Sequence, residues 1–238
     1  MIKLNIQSIF DSIDGEANGF DGAGQLTTFI RLKGCQLKCS YCDTLYAQSS
    51  TPENWMTVDD VIKEIHFPKV TITGGEPLIQ KQGVFELCNE IYCRQLKKQT
   101  NISQISIETN GAFVPAVTVW DWVRVVMDYK LPSSGMEHKM NHDAFSWVRP
   151  QDIIKFVIAD WTDYNRAIEI IDAHPEWIAK KVFSPAMQLM YHTDYRTPPV
   201  PDMDWPRQLV EKMIHDKVDA QFSLQLHKIL WPGATEER

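Results

Sequence analysis

The sequence contains no run of 18 uninterrupted apolar residues, so nothing in it reads as a membrane-spanning helix. Its start, MIKLNIQSIFDSIDGE, lacks the basic n-region and long apolar stretch of a secretory signal. It has no tract of lysine or arginine either. Twenty-four basic residues against 31 acidic ones leave a net charge of −7, which argues against a nucleic-acid partner, because tracking a phosphate backbone takes clustered cations. Cysteine is scarce and odd in number. Of five, three fall between positions 35 and 42, a distribution that suits a reducing compartment and ligation better than a disulfide framework. Internal repeats and low-complexity tracts are absent. The expectation is a soluble, cytoplasmic protein with no membrane and no nucleic-acid partner.

With 238 residues and 44% hydrophobic content, the chain can bury a substantial core, and one domain spanning 1–238 is expected. Strand-like runs recur at TTFIRL, VTIT, ISIE, VRVVMDY, DIIKFVI, KKVFS and FSLQL. Several are separated by segments of helical spacing, such as Val58, Val61, Ile62, Ile65 and Ala167, Ile168, Ile171. This order predicts βα units around a largely parallel sheet, with function at the carboxyl ends of the strands. Thr57 followed by Asp60 reads as a helix start, and WPRQLVEKMIHDK as a helix near the C-terminus. Two stretches, 131–145 and the proline-rich 187–206, read as long functional or partner-facing loops.

The stretch RLKGCQLKCSYCDTLY places cysteines at 35, 39 and 42. A closed zinc site takes four ligands, commonly as paired CxxC knuckles, so zinc here requires a distant fourth ligand. A [4Fe–4S] cluster held by three thiolates keeps one iron open for a reacting ligand, which favours catalysis. Tyr41, one residue before Cys42, supplies an aromatic that can shield the cluster or pack on a nucleotide. Cys88 and Cys93 lie in the helical run FELCNEIYCR and read as inert thiols. His138 and His142, four apart, sit in a Gly/Ser/Pro-flanked stretch with no acidic partner arranged around them, so a metal role is not assigned to them.

CQLKCSYC matches the CxxxCxxC pattern, with an aromatic before the last cysteine, and VTITGGEP about thirty residues later resembles a GGEP loop at the end of the next strand. Together they are similar to the radical S-adenosylmethionine (SAM) superfamily. The resemblance implies a partial or modified (β/α) barrel, a [4Fe–4S] cluster on Cys35, Cys39 and Cys42, and SAM as cofactor. Gly74 and Gly75 can let backbone approach a ligand, and Glu76 can take an ammonium group such as the methionyl amine. Glu108 in SIETNG resembles an acid that reaches cofactor hydroxyls.

Beyond the superfamily, SIFDSIDGEANG, TTFIRLKGC, the Cys-Asp-Thr run, DYKLPSSGM and SLQLHK together resemble the 7-carboxy-7-deazaguanine synthase family over nearly the whole chain. That family contracts 6-carboxy-5,6,7,8-tetrahydropterin to a 7-deazapurine with loss of ammonia, a step toward queuosine. The resemblance implies Thr44 as the magnesium ligand, in keeping with the few protein oxygens that Mg²⁺ takes. It implies Arg31 as a fork onto the substrate carboxylate, and Glu16 as a further residue of the reaction. Ile13, Asp14, Gly15, Glu16, Thr73 and His227 are expected to line the substrate. Tyr41, Cys42, Asp43, Lys130 and Ser184 are expected beside the cofactor. An electron donor such as a flavodoxin or ferredoxin, and a homodimer, are implied by the same resemblance.

The chain also departs from the family. Where the family shows Gln-Gly-Glu-Gly, this chain reads Asp14-Gly15-Glu16-Ala17. Asp14 keeps the acceptor and loses the donor half of a glutamine, which puts the contact to the pterin edge in question. The SPAMQ segment keeps Ser184 and Pro185 but differs from the family at its later positions, and His227-Lys228 is succeeded by ten more residues, ILWPGATEER, so no terminal carboxylate is assigned to the site. Two other readings of the cysteine motif are a glycyl-radical-enzyme activase, which needs a groove for a protein loop, and a zinc or iron–sulfur binding module without catalysis.

Overall fold

The computed structural model describes residues 2–20, 22–115, 120–190 and 199–233. The chain opens with β1 (Lys3–Ile13), which runs antiparallel to β2 (Leu26–Leu32) on one side and to β3 (Trp55–Thr57) on the other. Alternating units come next: α1 (Val58–Lys63), β4 (Lys69–Gly74), α2 (Lys81–Leu96), β5 (Gln104–Thr109), β6 (Val123–Tyr129), α3 (His142–Phe145), β7 (Ile153–Ile158), α4 (Trp161–Ala173) and β8 (Lys180–Pro185). A short hairpin, β9 (Leu189–Met190) with β10 (Val200–Pro201), then leads to α5 (Asp204–Asp216), β11 (Gln221–Phe222) and α6 (Leu226–Leu230). The nine-stranded sheet has the order β11-β8-β7-β6-β5-β4-β2-β1-β3, parallel from β2 through β11. Its ends do not meet among the described residues, as expected for a partial barrel.

Strand alternation accounts for the layers. One set of side chains, including Ile30, Ile72, Ile105, Ile107, Met127 and Phe156, joins Leu87 and Ile91 of α2 and Ala167 and Ile170 of α4 in the main core. Burying each such aliphatic chain contributes about 1.5–3 kcal/mol. The intervening positions form the concave face, and several of them are polar yet buried: Thr71, Ser106 and Lys155 expose 0%, 0% and 8% of their surface. A parallel sheet is normally apolar on both faces, so the polar face is the one that carries a ligand.

The helix start at Thr57 is as expected, its hydroxyl accepting from Asp60 N at 3.2 Å. The expected loop over 131–145 is instead ordered by two 3₁₀ turns and α3, with Leu131, Ser134, Ala144 and Phe145 buried. It is anchored because the buried Asp163 carboxylate of α4 accepts from Ser133 N at 2.9 Å. In this segment His142 bonds to Tyr129 Oη and His174. Of the 187–206 stretch, residues 191–198 lie outside the described residues, while its ends form β9, β10 and the start of α5. FSLQL is a strand only at its start, because Ser223 turns away to receive Ala17 N at 3.0 Å and α6 begins at Leu226.

Candidate active site

A cavity of about 260 Å³ opens on the concave face at the carboxyl ends of β2, β4, β5, β6 and β7. The volume is on the scale of a small-molecule cleft. Cys35, Cys39 and Cys42 share its wall with Tyr41, Asp43 and Thr44 of the loop that leaves β2. Ile13, Asp14, Gly15 and Glu16, at the end of β1 and just past it, line another part, with Arg31, Thr73 and Glu108 from the strand ends. Gly74, Gly75, Lys130 and His227 of the expected set line it as well. Residues as distant in sequence as Ile13 and His227 thus meet at one site.

The cysteine loop is held from several sides. Ser40 N donates to Ser134 O at 3.0 Å, Gly34 N to Ala47 O at 2.8 Å and Cys35 N to Gln48 O at 3.0 Å. Asn110 Nδ2 lies 3.7 Å from Cys35 Sγ, as a donor that can stabilise a thiolate. Burial pushes the Cys35 and Cys39 thiols up, so ionising them calls for a cation at the site. Among the described residues no three His, Cys, Asp or Glu side chains converge on one metal-ion position. A four-iron cluster binds each thiolate on a different iron, so its cysteines need to surround a space and not a point.

The cavity also carries alternating charges. Lys155 Nζ lies 3.0 Å from Glu16 Oε2 and 3.7 Å from Asp128 Oδ2, and Lys130 Nζ bonds the same Asp128 oxygen at 2.8 Å. Gln225 Nε2 donates to Glu16 Oε1 at 2.8 Å. Burial alone raises the Glu16 pKa, but Lys155, Gln225 and His227 outweigh it and hold the carboxyl at about 2. Burial lowers the His227 pKa, despite the opposing Glu16 charge, so the ring is neutral near pH 7. Its Nδ1 packs so closely on Gly15 that a Cβ there would stand 2.4 Å away. Thr73 donates to Glu108 at 2.8 Å.

Glu76 is fully buried and does not line the cavity. Its carboxylate accepts from Leu78 N, Thr109 Oγ1 and Asn110 N at 2.7–2.8 Å, so it ties the β4 loop to the end of β5. Gly74 and Gly75 line the cavity and are also required by backbone packing: Cβ atoms there would lie 2.2 Å from Leu32 O and 2.1 Å from Gly34 O. Ser184 does not line the cavity; Ala186 and Met187 do, and Ser184 is buried beside Val157 with no partner for its hydroxyl. Asp14 does line the cavity, yet its Oδ2 is already bound by Lys69 Nζ and by Asn18 Nδ2 at 2.9 Å.

Sequence reasoning missed Lys155, Asp128, Lys69, Asn110, Gln225 and Lys228. Lys155 and Lys69 carried a signal: a lysine inside an apolar strand run, KFVI or KVTIT, implies a buried cation with a partner. Lys228 had none, since its partner is Asp43, at 2.9 Å.

The residues present fit a cluster and a polar cofactor. Arg31 Nε, Tyr41 Oη, Asp128 Oδ1 and Ser184 Oγ are buried without a hydrogen-bond partner, and the first three belong to residues of the cavity wall. Buried groups left unpaired are costly, and a polar ligand among them removes the deficit. Arg31 is further framed by the rings of Phe10 and Tyr46, 5.5 and 5.8 Å from its guanidinium carbon, which leaves its N–H fork for an anion.

Comparison with known proteins agrees with this geometry. The Radical SAM superfamily model matches residues 29–172. The 7-carboxy-7-deazaguanine synthase of Clostridium acetobutylicum is 34% identical over 233 residues, covering 93% of both chains. The one from Methanospirillum hungatei is 35% identical over 230 residues, covering 95% of this chain and 85% of the other. The fold is similar to that of QueE from Escherichia coli, with a TM-score of 0.68 over 95% of this chain and 96% of that one at 20% identity. The chain therefore belongs to the 7-carboxy-7-deazaguanine synthase family, within the radical SAM superfamily.

Proposed function

We propose that the chain is a radical SAM lyase that converts 6-carboxy-5,6,7,8-tetrahydropterin to 7-carboxy-7-deazaguanine with loss of ammonia, in queuosine-type deazapurine biosynthesis. The observation that carries the assignment is one cavity lined by three thiols, by Arg31 with its Nε unpartnered, and by the Glu16 carboxylate. Family membership at 34–35% identity over more than nine-tenths of the chain supports it.

Cys35, Cys39 and Cys42 would hold the cluster, and Tyr41, Asp43, Gly74, Gly75, Glu108 and Lys130 would surround SAM. When bound, the cluster and SAM supply one-electron reduction and hydrogen-atom abstraction. The protein's part is placement. Arg31 binds the substrate carboxylate in a forked pair, and Thr73 and Glu108 hold one another at the strand ends. The backbone of Ile13–Glu16 and the neutral His227 ring bracket the ring system, and the charge balance of Glu16, Lys155, Asp128 and Lys130 keeps the wall rigid and polar. Thr44 would hold a Mg²⁺ ion, which would supply a positive charge to help orient the substrate carboxylate. Thr44 supports this by lying on the wall next to Cys42, with Oγ1 3.7 Å from its sulfur. A flavodoxin or ferredoxin as electron donor, a homodimeric assembly and a cytoplasmic setting complete the reading; they rest on the family resemblance and on the reducing chemistry that the cluster demands.

The test is an anaerobic reaction of reconstituted, reduced protein with SAM and 6-carboxytetrahydropterin, with and without Mg²⁺, monitored by mass spectrometry. The expected result is 5′-deoxyadenosine together with 7-carboxy-7-deazaguanine, with turnover of the Thr44→Ala variant no longer responsive to Mg²⁺. Formation of 5′-deoxyadenosine without any deazapurine overturns the substrate assignment.

A further inference from the structure

The surroundings of Asp14 on the cavity wall give its side chain a direction. Its backbone is pinned at both ends, N donating to Gln25 O and O accepting from Gly24 N, each at 2.7 Å. Its side chain is pinned too. Lys69 Nζ, Asn18 Nδ2 (2.9 Å) and Thr71 Oγ1 (3.4 Å) all converge on Oδ2. Lys69 does not line the cavity and Asp14 does; both are almost fully buried. Three donors behind the carboxylate require an acceptor at the inner position and leave Oδ1 as the oxygen available to a ligand. Glu16, by contrast, already has a donor on each oxygen, Gln225 on Oε1 and Lys155 on Oε2.

We propose that Lys69, Asn18 and Thr71 are positioning residues that fix Asp14 as a one-way hydrogen-bond acceptor on the cavity wall, selecting a substrate ring that presents an amino N–H donor over one that presents a carbonyl there. The inference rests on the pterin reading of the site and deepens it by naming the edge that is read. The logic is polarity at a fixed point. An amide at position 14 would have to turn its oxygen inward to the same three donors and so show its NH₂ to the ligand, reversing what is recognised. A buried acceptor placed for an N–H also rejects an analogue that cannot supply one, because both partners are then left unpaired.

The experiment measures binding to the reconstituted protein, with SAM present, of two stable probes that differ at one atom group: 6-carboxypterin, with its 2-amino group, and the corresponding 2,4-dioxopteridine-6-carboxylate. The wild type is expected to prefer the 2-amino probe by about tenfold or more. Asp14→Asn is expected to abolish or invert that preference while SAM binding is retained. Lys69→Met is expected to weaken the preference. If that variant does not fold, the neutral pair Asp14→Asn with Lys69→Met replaces it and is expected to match Asp14→Asn alone. A wild type that binds both probes equally, or an Asp14→Asn protein that keeps the full preference, overturns the proposal and leaves the pterin reading intact. An unchanged preference in a folded Lys69→Met protein overturns the positioning role of Lys69. If the wild type cleaves SAM but binds neither probe, the pterin reading falls and the proposal with it.

Discussion

Lys228 of the last described helix closes an ion pair of 2.9 Å on Asp43, the residue next after the third cysteine of the cluster loop. Its neighbour His227 packs on Gly15, and Leu226 N donates to Gly15 O at 2.9 Å. One short helix thereby touches both the substrate-facing loop and the cluster loop. The pair is partly exposed, so it contributes at most about 1 kcal/mol to stability. Lys228→Ala is expected to leave Tm and iron content near the wild-type values but to raise the KM for the substrate several-fold, with partial rescue by Lys228→Arg. An unchanged KM would mean that the clasp has no part in ordering the site.

Lys155 is the cation on which the buried Glu16 depends. Replacing it by methionine keeps most of the volume but leaves Glu16 without its cation, while Asp128 keeps Lys130. Breaking such a pair from one side costs about 3–5 kcal/mol. Lys155→Met is expected to lower Tm and denaturant midpoint strongly, and the double variant with Glu16→Gln is expected to recover part of the loss. Chemical denaturation of the three proteins measures this directly.

The same cluster sets the acid response. The Glu16 carboxyl is held near 2 against an ordinary 4.5. A lowered native-state pKa contributes stability that is present above the unfolded-state value and is lost as pH falls from about 4.5 toward 2; its full size is about 3 kcal/mol. Between pH 5 and pH 3 the wild type is therefore expected to lose Tm more steeply than Glu16→Gln. Parallel slopes for the two proteins would show that Glu16 is not the group responsible.

Arg31 carries a buried Nε without a partner between two aromatic rings. Arg31→Lys retains charge but not the planar fork. Both Arg31→Lys and Arg31→Ala are expected to weaken binding of the carboxylated pterin by about 10–100-fold, in line with about 1.5–3 kcal/mol for a hydrogen bond to a charged group, while binding of a pterin without the carboxylate changes little. Titration calorimetry on the two ligands distinguishes a carboxylate fork from a purely structural arginine.

Substituting alanine for Cys35, Cys39 or Cys42 is expected to abolish the visible absorption and most of the iron after anaerobic reconstitution. Cys93→Ala, on α2 and away from the cavity, is expected to reconstitute as the wild type does. Loss of iron in the Cys93 variant as well would point to a different ligand set.

Much of this was legible in one dimension. CQLKCSYC with VTITGGEP downstream is a local pattern, and local patterns survive without knowledge of the fold; so do the strand runs VRVVMDY and DIIKFVI, which became β6 and β7 nearly residue for residue. The antiparallel β1 was not identified, because KLNIQSIFDSI mixes polar and apolar residues without clean alternation. The buried placement of Glu76 and Ser184, off the cavity wall, was not legible, for one reason. A motif states which residues are adjacent, not which way a side chain turns once the β4 loop packs on the backbone of Leu32 and Gly34.

What the sequence determined by itself is the chemistry at short range: three thiols in eight residues, a pair of glycines at a strand end, and strands whose every second residue is apolar. What only the tertiary structure decided is the meaning of the other half of each strand. Thr71, Ser106, Asp128 and Lys155 alternate with core residues as solvent-facing ones do, and in sequence the two cases are the same. The curved sheet turns that polar face inward and brings Asp14 to Lys69, Glu16 to Lys155 and Asp43 to Lys228 across 55, 139 and 185 residues. Buried charges must find partners wherever the fold supplies them, so those pairings belong to the three-dimensional arrangement and not to any stretch of the chain.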